Sequence, residues 1–128
     1  MKVYVRKMFP HDITHEVSVR TDIVEEFFGG KTRGMIFVGK RSGSEGEVTI
    51  NSATDPRFGG EFKSILLDEG RADVNDILLI YRIGVDKYKI EIVKPKDERY
   101  FDLMVKFRGK DRHAFLETDE ELKMAHLM

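Results

Sequence analysis

The stretch Ile77 to Ile83 is the most strand-like in the chain, and ten residues after it starts comes a second such run. In the second, Tyr88, Ile90 and Ile92 alternate with Lys87, Lys89 and Glu91, the two-residue period of a strand with one apolar face. Only Gly84-Val85-Asp86 separates the runs, which predicts a tight hairpin. A chain built around such a pair has to complete a sheet. Its lysines, with Lys94 and Lys96, read as the wet face and exit of an edge hairpin, where positive charge discourages sheet-to-sheet aggregation.

Further short runs supply the sheet. Val3 and Val5 alternate with Lys2, Tyr4 and Arg6, which are expected to face away from the core, and Glu16 to Arg20 alternates in the same way. Met35-Ile36-Phe37-Val38 is continuously apolar, as suits a strand buried on both faces. Glu47 to Ile50 alternates, and a further strand is expected around Phe62 to Leu66. Between the first two strands, Met8 to His15 carries Pro10, Asp12 and Thr14 and reads as a loop.

Helical signals are few. Thr21 stands as an N-cap before Ile23, Val24, Phe27 and Phe28, and Gly29-Gly30 supplies a stop. After Pro95 the period changes: Tyr100, Leu103, Met104 and Phe107 form an amphipathic helical stripe ending before Gly109. Thr118 to Glu121 has the form of a capping box and predicts one more short helix.

The chain has 128 residues, a length suited to one core, with 41% hydrophobic and 35% charged residues, a balance that folds. It contains no cysteine, which removes disulfides, thiolate metal sites and a thiol nucleophile from consideration. The amino terminus returns to charge too soon for a signal peptide, and no run is long enough to span a bilayer. Both features point to a cytoplasmic location without membrane partners. The net charge of −1 does not announce a polyanion binder, although a neutral total can hide a local basic stripe.

Several motifs invite chemistry. Asn51 to Lys63 reads as a loop longer than a hairpin needs, carrying amide, hydroxyl, guanidinium, carboxylate and ammonium groups that suit base edges and phosphates. Within it, Asp55 and Glu61-Phe62-Lys63 fit a fragment of the magnesium-dependent nuclease pattern, an Asp and an E-x-K pair on neighbouring strands. His11 and His15 have the spacing of a helical metal pair, but Pro10 favours a loop there, surface or DNA-facing. Gly29 to Gly34 contains Gly-Lys-Thr, but it follows a helix and precedes a strand, the reverse of a nucleotide-binding loop.

The order of segments carries more information than any one motif. His15 to Arg20, Ile23 to Phe28, the strand into Asn51-Ser52, and Ala72 to Ile80 together resemble the DNA-binding pseudobarrel domains. The nearest in pattern are the N-terminal effector domain of the restriction endonuclease EcoRII and the recognition domain of BfiI-type enzymes, with plant transcription-factor pseudobarrels more distant. Where that family usually has Gly-Asp before the penultimate strand, this chain has Asn75-Asp76.

The resemblance covers residues 1–96. It implies a mainly β fold, a seven-stranded open pseudobarrel with short helices. Residues 97–128 are then a C-terminal helical extension, packed on the barrel or leading to a further domain. The resemblance also implies sequence-specific binding of double-stranded DNA by two arms in the major groove, beside a nuclease domain or subunit, with no cofactor and no catalysis in this chain. By position, the first arm surrounds Arg6 to His15 and contributes Arg6, Lys7 and His11. The second contributes Asn51, Ser52, Arg57 and Lys63. Two rivals stand beside this expectation: a small magnesium-dependent nuclease using Asp55, Glu61 and Lys63, and a protein-interaction barrel whose partner docks on the C-terminal helix.

Overall fold

The structure is a computed structural model that describes residues 1–51 and 54–128. Seven strands form one mixed, curled sheet, a half-barrel: β1 (Val3–Lys7), β2 (Met35–Gly39), β3 (Glu45–Asn51), β4 (Arg57–Gly60), β5 (Ile77–Gly84), β6 (Lys87–Val93) and β7 (His113–Leu116). Their order across the sheet is β4-β3-β2-β6-β5-β1-β7. Only β2 and β6 are parallel among the described pairings. Among the described residues five short helices decorate it: α1 (Pro10–Thr14), α2 (Thr21–Glu26), α3 (Phe62–Glu69), α4 (Tyr100–Met104) and α5 (Asp119–Met124).

The mainly β architecture and its strand count agree with the sequence reading, but two strands change identity. Glu16 to Arg20 is extended yet makes only a single bridge, Ser18 to Arg57, supported by Val19 N–H to Pro56 O at 2.9 Å and Phe58 N–H to Val17 O at 2.8 Å. Phe62 to Leu66 is not a strand; it opens α3, and the burial of Phe62, Ile65, Leu66 and Glu69 follows a helical stripe. Their places in the sheet are taken by β4 and by β7. The Met8 to His15 connection is also not wholly loop, since Pro10 opens the one-turn helix α1 from its first position, where its missing N–H costs nothing.

The β5–β6 hairpin lies in the middle of the sheet rather than at its edge, with β1 on one side and β2 on the other. That position explains its composition. Leu78 and Ile80 join the inner core with Tyr4, Phe37, Phe58 and Tyr88, while Ile77 and Leu79 join an outer core with Val3, Val5, Leu103 and Leu116. Both faces are therefore dry, and β1 shows the same pattern: Tyr4 and Arg6, expected to face away, are fully buried.

The outer core is closed by the C-terminal segment. Arg99 fastens it to the sheet, donating to Glu91 Oε2 at 2.8 Å, to Asp97 Oδ2 at 2.7 Å and to the carbonyl of Ala125 at 3.0 Å. The expected helix over Tyr100 to Phe107 shortens to α4, and the chain then turns toward β7. Thr118 caps α5 as expected, its hydroxyl accepting from Glu121 N–H at 3.1 Å. Asn75 adopts φ 72°, a left-handed conformation that glycine and asparagine take more readily than other residues.

Candidate nucleic-acid interface

One buried ion pair organises the end of the barrel where the arms were expected. Arg6, at the close of β1, donates to Asp12 Oδ1 at 2.8 Å, to Ser18 O at 3.1 Å, to Ser18 Oγ at 2.9 Å and to the carbonyl of Lys7. Both charged side chains are fully buried. Asp12 in turn accepts from Phe9 N–H at 2.8 Å, so the pair joins β1, α1 and the segment from Glu16 to Arg20. The guanidinium has no free face with which to touch a ligand. It ties the segment expected as the first arm to the end of β1.

The two arms touch. Lys63 donates to the backbone carbonyl of Asp12, and burial pushes its ammonium below the ordinary lysine range. Asn51 Nδ2 donates to Glu16 Oε2 at 3.2 Å, and Arg57 donates to Glu16 O at 3.2 Å and to Asp55 Oδ2 at 2.6 Å. Asn51 and Arg57 are direct cross-strand partners on β3 and β4. Ser52 lies outside the described residues.

Between the arms opens a cleft lined by His11, Arg20, Asp55, Arg57, Arg112 and His113, with Ser18 and Val19 at its back. Arg112 and His113 belong to no predicted arm. They arrive because β7 pairs with β1, with His113 opposite Arg6, and because Lys7 N–H bonds to Arg112 O at 3.0 Å. The Phe9 ring lies against two cations, the Arg112 guanidinium 4.1 Å and the Lys7 ammonium 5.7 Å from its centroid. Neither cation has a carboxylate partner among the described residues, whereas Arg57 is paired with Asp55 and Arg20 with Asp22 and Asp111. The signal that sequence reasoning passed over is the basic run Arg108-Gly109-Lys110-Asp111-Arg112-His113. Sequence alone gives no sign that it sits beside the first arm.

His11 and His15 stack face to face, centroids 4.0 Å apart, across the one-turn helix α1. Among the described residues no group of three or more His, Asp or Glu side chains is arranged to hold a metal ion. The nuclease fragment is not assembled either. Asp55 precedes β4 and Glu61 follows it, so the two carboxylates flank opposite ends of a four-residue strand that spans about 13 Å. Asp55 is turned to Arg57 and Lys63 to Asp12, and Glu61 and Lys63 straddle the start of a helix, not a strand.

No helix among the described residues is long and apolar enough to cross a membrane. No protein-family profile and no curated protein sequence matches the chain. Among solved structures, the chain is similar to the N-terminal domain of Helicobacter pylori LlaJI.R1, at 29% identity and a TM-score of 0.84, over 93% of this chain and 100% of that one.

Proposed function

We propose that this domain binds double-stranded DNA sequence-specifically, as the recognition module of a restriction system acting on DNA in the cytoplasm. The observation that carries the reading is the likeness to the N-terminal domain of LlaJI.R1, a restriction-system protein, over the whole of that domain. The chemistry of the cleft agrees with it. Lys7 and Arg112 offer charge without carboxylate partners among the described residues, as phosphate contacts require, and Lys110 adds to the same run.

Base reading falls to side chains whose internal bonds are exposed and easily exchanged. The exposed Asp55 carboxylate holds Arg57 weakly, so that Arg57 turns to guanine O6 and N7 at little cost, while Asn51 leaves Glu16 for adenine. His11 stands at the cleft mouth and Lys63 braces the arms from behind, while Ser52 is a candidate contact by its place in the sequence next to Asn51. Arg6 acts through Asp12 as a positioning residue. The near-neutral total charge is compatible with this reading because part of the acidic charge is neutralised in ion pairs of residues that do not line the cleft, such as Lys87 with Glu45 and Lys106 with Glu121.

Selection from a random duplex pool at low salt in EDTA tests the reading. It predicts enrichment of one short sequence by the folded protein, and a pool without enrichment refutes it. A second reading, a surface for a nuclease domain or subunit, draws on Phe101 and Val105, which are 77% and 76% exposed four residues apart at α4. Charged substitutions at both positions should abolish association with that nuclease while leaving DNA affinity unchanged. Retention of the nuclease removes this second reading.

A further inference from the structure

We propose that His113 is a sequence-reading residue of this cleft: a neutral imidazole that presents Nε2–H to the DNA as a fixed hydrogen-bond donor, with Tyr4 as the positioning residue that fixes it. The inference rests on the DNA-binding reading above and adds a contact from outside both arms. His113 opens β7, opposite Arg6, and its ring lines the cleft with Arg20, Arg57 and Arg112. Tyr4 Oη lies 2.6 Å from His113 Nδ1, and the two rings are stacked at 17°.

The direction of that bond follows from burial. Tyr4 is fully buried, burial raises its hydroxyl well above the ordinary tyrosine range, and so the phenol keeps its proton. That proton has no acceptor other than His113 Nδ1 among the described residues. If Nδ1 were the donor, the phenolic proton would be stranded in the core beside the Arg6 guanidinium, which can only donate. Nδ1 is therefore the acceptor, and the imidazole proton sits on Nε2. Burial, helped by the charges of Arg6 and Arg20, pushes the His113 imidazole down to about 3, so it stays neutral at physiological pH.

Nε2 has no hydrogen-bond partner among the described residues, yet no buried side-chain nitrogen or oxygen there lacks one. The atom therefore opens on the cleft. An unrestrained histidine offers either a donor or an acceptor, and reads little. A locked donor bonds only to a base edge that carries an acceptor in the major groove, which guanine, adenine and thymine present and cytosine does not.

The experiment is titration of the selected duplex, and of every single-base-pair substitution of it, with the parent chain, His113→Phe and Tyr4→Phe. The parent should reject cytosine at one position by about 5- to 100-fold. His113→Phe should lose that discrimination at that position alone, and Tyr4→Phe should lose part of it. An unchanged discrimination profile in His113→Phe overturns the proposal, whatever happens to overall affinity. Nitrogen NMR of the parent's imidazole gives a readout independent of any variant. It should show a bare Nδ1 and a protonated Nε2 whose proton shifts on adding the selected duplex, and a resonance unmoved at saturation overturns the proposal. A parent chain that selects no sequence is a separate outcome, which removes the DNA-binding reading itself and this inference with it.

Discussion

Replacing Asp12 by Ala strips the counter-charge from a guanidinium that is fully buried. Three neutral acceptors remain around Arg6: the carbonyls of Lys7 and Ser18 and the Ser18 hydroxyl. They satisfy protons but do not neutralise charge. Breaking a buried pair from one side costs about 3–5 kcal/mol, a large share of the roughly 5–15 kcal/mol that holds a domain of this size together. With a urea dependence of about 1.5 kcal/mol per molar, the unfolding midpoint should fall by about 2–3 M. Removing both charges in Arg6→Met with Asp12→Ala should recover much of that loss, because the long apolar stem refills the site and no charge is stranded. The assay is urea unfolding of the parent, the two single variants and the double variant. Single variants costing under about 1 kcal/mol, or a cycle additive within about 0.5 kcal/mol, would refute the reasoning. The stable double variant should also keep the parent's salt dependence of DNA binding, since Arg6 touches no phosphate; a shallower slope would make Arg6 a contact after all.

Other predictions concern separate parts of the molecule. Arg112→Ala or Lys7→Ala should weaken binding across all duplexes and reduce the salt slope by about one, read by fluorescence anisotropy at several salt concentrations. Gly60→Ala should destabilise the domain by about 2 kcal/mol or more, because φ is +65° and the added Cβ would lie 2.6 Å from the carbonyl of Glu47; a neutral melting temperature would contradict this. His113 is driven down to about 3 from an ordinary 6.5, so the unfolded chain takes up a proton more readily than the fold between those values. Stability from this group is full above about 6.5 and declines as pH falls toward 3, and His113→Phe should flatten that limb of the pH–stability curve. Glu121, held down to about 2 by backbone N–H groups and Lys106, and Asp97, held down to about 2 by Arg99, add stability above the ordinary carboxylate range that is lost as pH falls through it toward 2.

What could be read from the sequence was whatever local period decides. The β5–β6 pair, β2, the Thr118 cap and the Asn75 turn each announce themselves within a few residues. Phe62 to Leu66 failed because a short apolar run fits a strand as well as a helix, and the helical reading depends on Glu69, a buried carboxylate that accepts from the Arg41 and Ser42 N–H groups of the β2–β3 turn. β7 failed because four residues behind a basic loop carry almost no signal. Arg6 was misread for a related reason: alternation places it on the face away from Val5, but the C-terminal segment and α1 leave neither face of β1 wet. Nothing in the local pattern showed that the two segments expected as arms lie side by side. The clamp between them depends on contacts 35 to 51 residues apart in sequence, and the arrival of Arg112 and His113 on contacts more than a hundred residues apart.

The central claim is that this domain distinguishes one duplex sequence from others. The direct measurement is the ratio of dissociation constants for the selected duplex and a scrambled duplex of equal length and composition, at about 0.15 M salt in EDTA. The account predicts a preference of at least about a thousandfold. Equal affinities for the two duplexes would contradict it.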